Sequence, residues 1–336
     1  MNDNVLTCPS PLTAFMNLDL QQITFTTRET AELLSTTERI ELGPNQIAGP
    51  TLATLVSPGT ELNGSYLGDE FPRQPGYSAV FRVEHIGPEV DDVSVGDVRF
   101  CMGRHASYQV VDTETSLPLP DGLNPRTAIF ARLLGVTMTT LITTSARPPD
   151  TVVVTGLGPV GNLGAQNFRA HGYTVVGCDP DTERRELAGR LGIQETRADV
   201  SEVSDAGNVA LLLDCSGHET AVVDGARIVR KRGEVVLVGA PWARRTEQYA
   251  HDLLHTVFFN YIDIRSGWEW ELPRHTDDFR HRSIFGNFAT ALTWLVEEKV
   301  RVEGLGLRCD PESAQEAYQS LLHRKCECPT VIFDWA

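Results

Sequence analysis

The sequence predicts an α/β chain in two parts, a partly open antiparallel β-barrel followed by a doubly wound parallel sheet. Three observations predict it. Short β-like runs between Gly and Pro punctuation occupy residues 23–112. A glycine-patterned strand–turn–helix–strand segment begins at Thr151. Beyond it, apolar runs alternate with helical stretches, the order that builds a parallel sheet.

The early runs are ITFTT, TAELLS, TLATLVS, YSAVFRVEHIG, GDVRFCM and SYQVVD, at the spacing expected of barrel strands. About the first twenty residues read as an extension before the barrel. LPLPDGLNP reads as a loop, and residues 126–144 as one apolar helix. Arg147-Pro148-Pro149-Asp150 then breaks the chain before the glycine-patterned strand. Further strands are expected at VALLLDCSG (209–217), GEVVLVGAP (233–241) and FNYIDIRSGW (259–268). Residues 288–298 have helical periodicity, and VIFDWA reads as a last strand.

The segment TVVVTGLGPVGNLGAQNFRAHGYTVVGCD carries the strongest chemical signal. Gly156, Gly158 and Gly161 stand in G-x-G-x-x-G spacing between two apolar runs. Gly156 allows the tight turn off the strand, Gly158 lets backbone approach a pyrophosphate, and Gly161 lets the helix pack closely. Pro159 and Val160 open that helix, whose N-terminus faces the phosphates. Asp179 lies where a carboxylate binds a ribose 2′-hydroxyl and repels a 2′-phosphate. The expected cofactor is therefore NAD(H). Cys215 and Ser216, and then Gly239, fall at later strand ends and are expected to touch it through backbone.

Composition narrows the partners. A formal charge of −16 argues against nucleic acid and anionic membranes. No apolar stretch approaches the length of about 18 residues that a membrane helix needs, and the N-terminal residues lack the features of a signal peptide. Seven scattered cysteines show no disulfide framework, so a reducing cytoplasm is expected.

PGTEL (58–62), PGYSAVFRVEHIGPEVDDVSVGDV (75–98), LPLPDGL (117–123) and the glycine segment together resemble the medium-chain dehydrogenase/reductase superfamily, over residues 23–336. The resemblance implies a GroES-like barrel domain formed by 1–145 and 276–336, and a Rossmann NAD-binding domain at 146–275. It also implies a small-molecule substrate and a homodimer or homotetramer. Zinc-dependent members carry Cys-Gly-Thr-Asp where this chain has Pro58-Gly59-Thr60-Glu61, and Gly-His-Glu where it has Gly76-Tyr77-Ser78. Their third ligand falls on Ala131, and the cysteine-rich lobe holding a structural zinc is missing. A zinc-free member is expected, with no metal ligands. SPGTE, PGY and RFCMGRHAS resemble the bacteriochlorophyllide a dehydrogenase-like alcohol dehydrogenase group.

Without a metal, a hydrogen-bond donor must stabilise the developing alkoxide. Tyr77 stands at the place of a zinc-binding histidine and is expected to point into the cleft, or else to fill the vacated core. An imidazole suits proton exchange near neutral pH, and His105 is read as a cleft base or a solvated loop residue. Thr60 matches the proton-relay hydroxyl of zinc members, and Glu61 is read as scaffold. Trp268, Trp270 and Arg274 either border the substrate or pack at the domain junction. These residues suggest secondary alcohol–ketone interconversion on a sugar- or cyclitol-like metabolite, or a tailoring step of secondary metabolism. The alternatives are a zinc-free enone or quinone reductase and a non-catalytic NAD(H)-binding sensor.

Overall fold

The computed structural model describes residues 15–336. The expected N-terminal extension falls largely outside them, and Phe15 already begins a strand. β1 (Phe15–Thr27) and β2 (Thr30–Glu41) form a long antiparallel hairpin. Ile23, Phe25 and Ala31 bury its turn end, while β2 is largely exposed towards the open end.

β3 (Gln46–Leu55) is the centre of the barrel. It leads into the one-turn helix α1 (Pro58–Glu61), started by Pro58 at its first turn, and a wider turn at Leu62–Tyr66. β4 (Ala79–Arg82), β5 (His85–Ile86), β6 (Val98–Cys101), β7 (Tyr108–Asp112) and β8 (Ser116–Pro118) follow. β4, β5 and β7 each pair with β3 antiparallel.

The single helix expected over 126–144 is instead two. α2 (Pro125–Ala128) is capped by Asn124, and α3 (Ala131–Thr143) starts after a break at Ile129–Phe130. Ser78 Oγ donates to the Ile129 carbonyl there, which ties the break to the barrel.

β9 (Thr151–Thr155), α4 (Pro159–Ala170), β10 (Thr174–Cys178), α5 (Thr182–Arg190) and β11 (Glu195–Arg197) open the parallel sheet. β12 (Val209–Asp214), α6 (Glu219–Ile228), β13 (Val229–Leu237), α7 (Ala250–Asn260) and β14 (Asp263–Ser266) complete it. The order is β11-β10-β9-β12-β13-β14. Every residue of β12 is buried, as expected of a strand covered on both faces. The strand expected over 259–268 shortens to β14, because α7 runs to Asn260 and Tyr261 ends it in the left-handed conformation.

α8 (Ile284–Val296), β15 (Gly306–Cys309), α9 (Ala314–Leu322) and β16 (Thr330–Asp334) return to the barrel. β16 pairs with β3, and β15 with β16. One apolar core joins barrel, α3 and α8 through Phe100, Phe130, Leu134, Ile284 and Phe288. Two more cover the faces of the parallel sheet. Among the described residues, no helix is long and apolar enough to cross a membrane.

Candidate active site and dinucleotide crevice

The parallel sheet turns in opposite directions on either side of the β9–β12 pair, so a crevice opens at their carboxyl ends. Gly156 has φ +81°, and a Cβ there would lie 2.8 Å from the Ser216 backbone. A Cβ on Gly161 would lie 1.8 Å from the Gly156 carbonyl oxygen, so only glycine lets α4 approach so closely. Gly158 caps α4 without a side-chain bond and has open space in front of it. Pro159 occupies the first turn of α4. The orphan N–H groups of a twelve-residue helix therefore face an open crevice, the requirement for binding a phosphate.

Asp179 is buried just past β10. Its Oδ2 accepts from Leu157 N at 2.7 Å and its Oδ1 from Asp181 N at 2.9 Å, fixing it against the glycine turn. Arg184 approaches it to 3.6 Å. Opposite, buried Asp214 accepts from Thr155 Oγ1, Ser216 Oγ and the N–H groups of Ser216 and Gly217. This carboxylate shapes the 215–217 turn. Burial raises its pKa, against the pull of those donors. A Cβ on Gly239 would strike Gly217 N at 2.4 Å, so that loop too depends on glycine. Burial pushes the Cys215 thiol well above its ordinary pKa, so it is a packing group rather than a nucleophile. These groups suit a dinucleotide: open helix N–H groups for a pyrophosphate and a fixed carboxylate for a ribose.

The second group of residues gathers where α1, Tyr77 and the start of α3 meet. Thr60 is exposed on α1, and Ser57 is its buried cap residue. Burial raises the Tyr77 phenol above its ordinary pKa of 10.0, while Arg132 and the Ser57 and Thr60 hydroxyls act in the opposite direction. Tyr77 therefore stays protonated and able to donate at neutral pH. The Arg132 guanidinium carbon lies 4.5 Å from the centre of its ring. Arg132 also donates through Nη2 to Glu269, on the turn after β14, joining the two halves of the molecule.

His105 is placed differently from the expectation. It is 0% exposed, neither in solvent nor at the cleft. Its Nδ1 lies 2.7 Å from Thr54 Oγ1 and its Nε2 3.0 Å from Glu61 Oε2. Glu61 also accepts from Tyr318 OH at 2.6 Å and Ser57 N at 2.7 Å. Both ring nitrogens are engaged, so His105 belongs with Glu61 to the scaffold. The side-chain partners of Glu61 are thus a histidine and a tyrosine. Trp268 is 67% exposed, and Trp270 is also exposed with Arg274 at 5.6 Å from its ring. Neither indole is buried at the domain junction. Sequence reasoning missed Arg132, Glu269 and Trp242; Trp242 reaches from beyond Gly239 to Gly64.

Pro58, Tyr77 and Ala131 bring no metal-ligand set together, and among the described residues no group of three or more His, Cys, Asp or Glu is placed to hold a metal. These residues do not fit a zinc ion.

The family described as zinc-binding dehydrogenase matches residues 159–270. Sorbitol dehydrogenase of Halalkalibacterium halodurans is 29% identical over 55% of this chain, which spans 58% of that protein. Galactitol-1-phosphate dehydrogenase from Escherichia coli superposes with a TM-score of 0.79 at 17% identity, over 94% of this chain and 99% of its own. The chain is similar in sequence to these zinc-binding dehydrogenases over part of its length, and it shares the fold of the medium-chain dehydrogenase/reductase superfamily. Another member of this fold, acetophenone reductase from Geotrichum candidum in complex with NAD, superposes with a TM-score of 0.77 at 14% identity, over 94% and 97% of the chains. The superfamily's barrel and parallel sheet are the two parts expected from the sequence.

Proposed function

We propose that this protein is a zinc-independent, NAD(H)-dependent oxidoreductase that interconverts a secondary alcohol and a ketone on a small polyhydroxylated metabolite. The observation that carries this reading is the Tyr77 phenol set beside the Thr60 hydroxyl, its pKa raised by burial, at a position where the family resemblance puts a zinc-binding histidine. Asp179 supports NAD(H) over the 2′-phosphorylated cofactor. Bound NAD(H) supplies the hydride acceptor or donor.

The protein's own part is to hold the substrate oxygen and move one proton. In the reducing direction the substrate carbon gains a hydride and its C=O bonding pair moves onto oxygen. Tyr77 gives that oxygen its phenolic proton, and exposed Thr60 passes a proton from water back to Tyr77. Oxidation runs the same transfers in reverse. The names of the sorbitol and galactitol-1-phosphate relatives favour a polyol, and Trp270 with Arg274 offers a ring and a charge for such a molecule. Nicotinamide absorbance over a panel of polyols, cyclitols, ketones and enones tests the reading. Turnover of a polyol or cyclitol supports it, and reduction of only enone double bonds overturns it.

A homodimer is part of the same proposal, and a homotetramer built from it is compatible. β14 is an edge strand, and α7 beside it exposes Leu254 (65%) and Phe258 (74%), followed by Tyr261 (74%). An apolar surface next to an open sheet edge favours self-association. The six described cysteines are all free, which supports a cytoplasmic setting.

A further inference from the structure

Arg132 is 6% exposed at the start of α3, yet most of its guanidinium is unpaired. Nη2 donates to Glu269, while Nε and Nη1 are buried with no hydrogen-bond partner. The group is held between two rings, with its carbon 4.5 Å from the centre of Tyr77 and 5.4 Å from that of Phe288. Folded proteins seldom leave buried donors of a cation unsatisfied, because desolvating them without a partner is costly. A partner that arrives from outside the chain resolves the cost. The position is informative as well, since Arg132 follows Ala131 and covers Tyr77, two of the three places where metal ligands are replaced.

We propose that Arg132 anchors the substrate's reacting oxygen, its unpaired N–H groups donating to a carbonyl or alkoxide oxygen beside Tyr77. The proposal rests on reading the cleft as a metal-independent dehydrogenase site. Glu269 decides the kind of oxygen. Its carboxylate already balances the guanidinium, so a second carboxylate from the substrate would bring an uncompensated buried charge. An uncharged oxygen that gains charge only during reaction suits a balanced pair with spare donors. Arg132 positions and polarises the oxygen while Tyr77 supplies the proton. Glu269 acts through Arg132 and is a positioning residue.

The test compares the full-length wild type with Arg132→Lys and with the double variant Arg132→Met/Glu269→Gln. The double variant removes the cation without leaving a buried lone carboxylate, and thermal unfolding checks that it folds. The probe is isobutyramide, an uncharged carbonyl compound, titrated into the protein–NADH complex by nicotinamide fluorescence, with acetate as the charged comparison. The expected result is NADH affinity within about twofold of wild type, and a loss of about tenfold or more in isobutyramide affinity in the double variant. Arg132→Lys retains part of that affinity. Unchanged isobutyramide binding in a folded double variant overturns the proposal, as does wild-type preference for acetate or failure of the wild-type complex to bind the amide. If no alcohol or ketone is turned over yet amide binding depends on Arg132, the dehydrogenase reading fails and the oxygen site stands.

Discussion

His105 Nε2 lies 3.0 Å from Glu61 Oε2 in the barrel interior, with Tyr318 donating to the same carboxylate oxygen. This contact joins the β6–β7 connection, α1 and α9 around one buried carboxylate. His105→Ala is therefore expected to lower stability by about 3 kcal/mol, because Glu61 loses a partner while remaining buried. Urea unfolding measures the loss. The folded fraction should keep turnover within about tenfold of wild type, and a larger drop would return His105 to the chemistry.

Tyr77→Phe removes the phenolic donor with little change in volume. Turnover should fall by roughly 10²–10⁴-fold, with NADH affinity unchanged. Because burial holds the phenol above 10.0, the wild-type rate profile should show no loss from phenol ionisation below that pH. A wild-type rate in the variant contradicts the assignment.

Asp179 should give NAD at least about a tenfold preference over NADP, worth on the order of 1.4 kcal/mol. Asp179→Asn removes the repulsion and releases Arg184, now 3.6 Å away, to meet a 2′-phosphate. Cofactor titrations should then show the preference shrinking towards parity. Equal affinities in wild type would contradict the role.

The Asp150 carboxyl is held below its ordinary pKa chiefly by its hydrogen bonds from Arg230, at 2.9 and 3.0 Å. A depressed folded pKa contributes stability that is present above 3.8 and is lost as pH falls through the lowered value. Wild type should unfold at a higher temperature than Asp150→Asn at neutral pH, and the gap should narrow below pH 3.8. A gap that widens on acidification contradicts this linkage.

Phe258→Glu with Leu254→Glu places two charges on the exposed face of α7. Light scattering should show a smaller assembly than wild type. The same mass in both proteins would place the association elsewhere.

How much of this could be read from sequence depended on range. The glycine turn and Asp179 were legible because a fixed spacing encodes their geometry, and β9, β10, β12 and β13 because buried parallel strands are apolar runs. β11 spans three residues and β15 four, too short to give a period. His105 was misread because its partners arrive from 44 and 51 residues away. Arg132 in an apolar helix carries no spacing signal, and its meaning depends on Glu269, 137 residues later. Contacts of that range follow from topology rather than local pattern.

The most direct measurement is turnover by chelator-treated protein, followed by nicotinamide absorbance with and without added zinc. The account predicts that the chelated protein turns over a secondary alcohol or ketone at the same rate in both samples. Activity that appears only after zinc is added would contradict it.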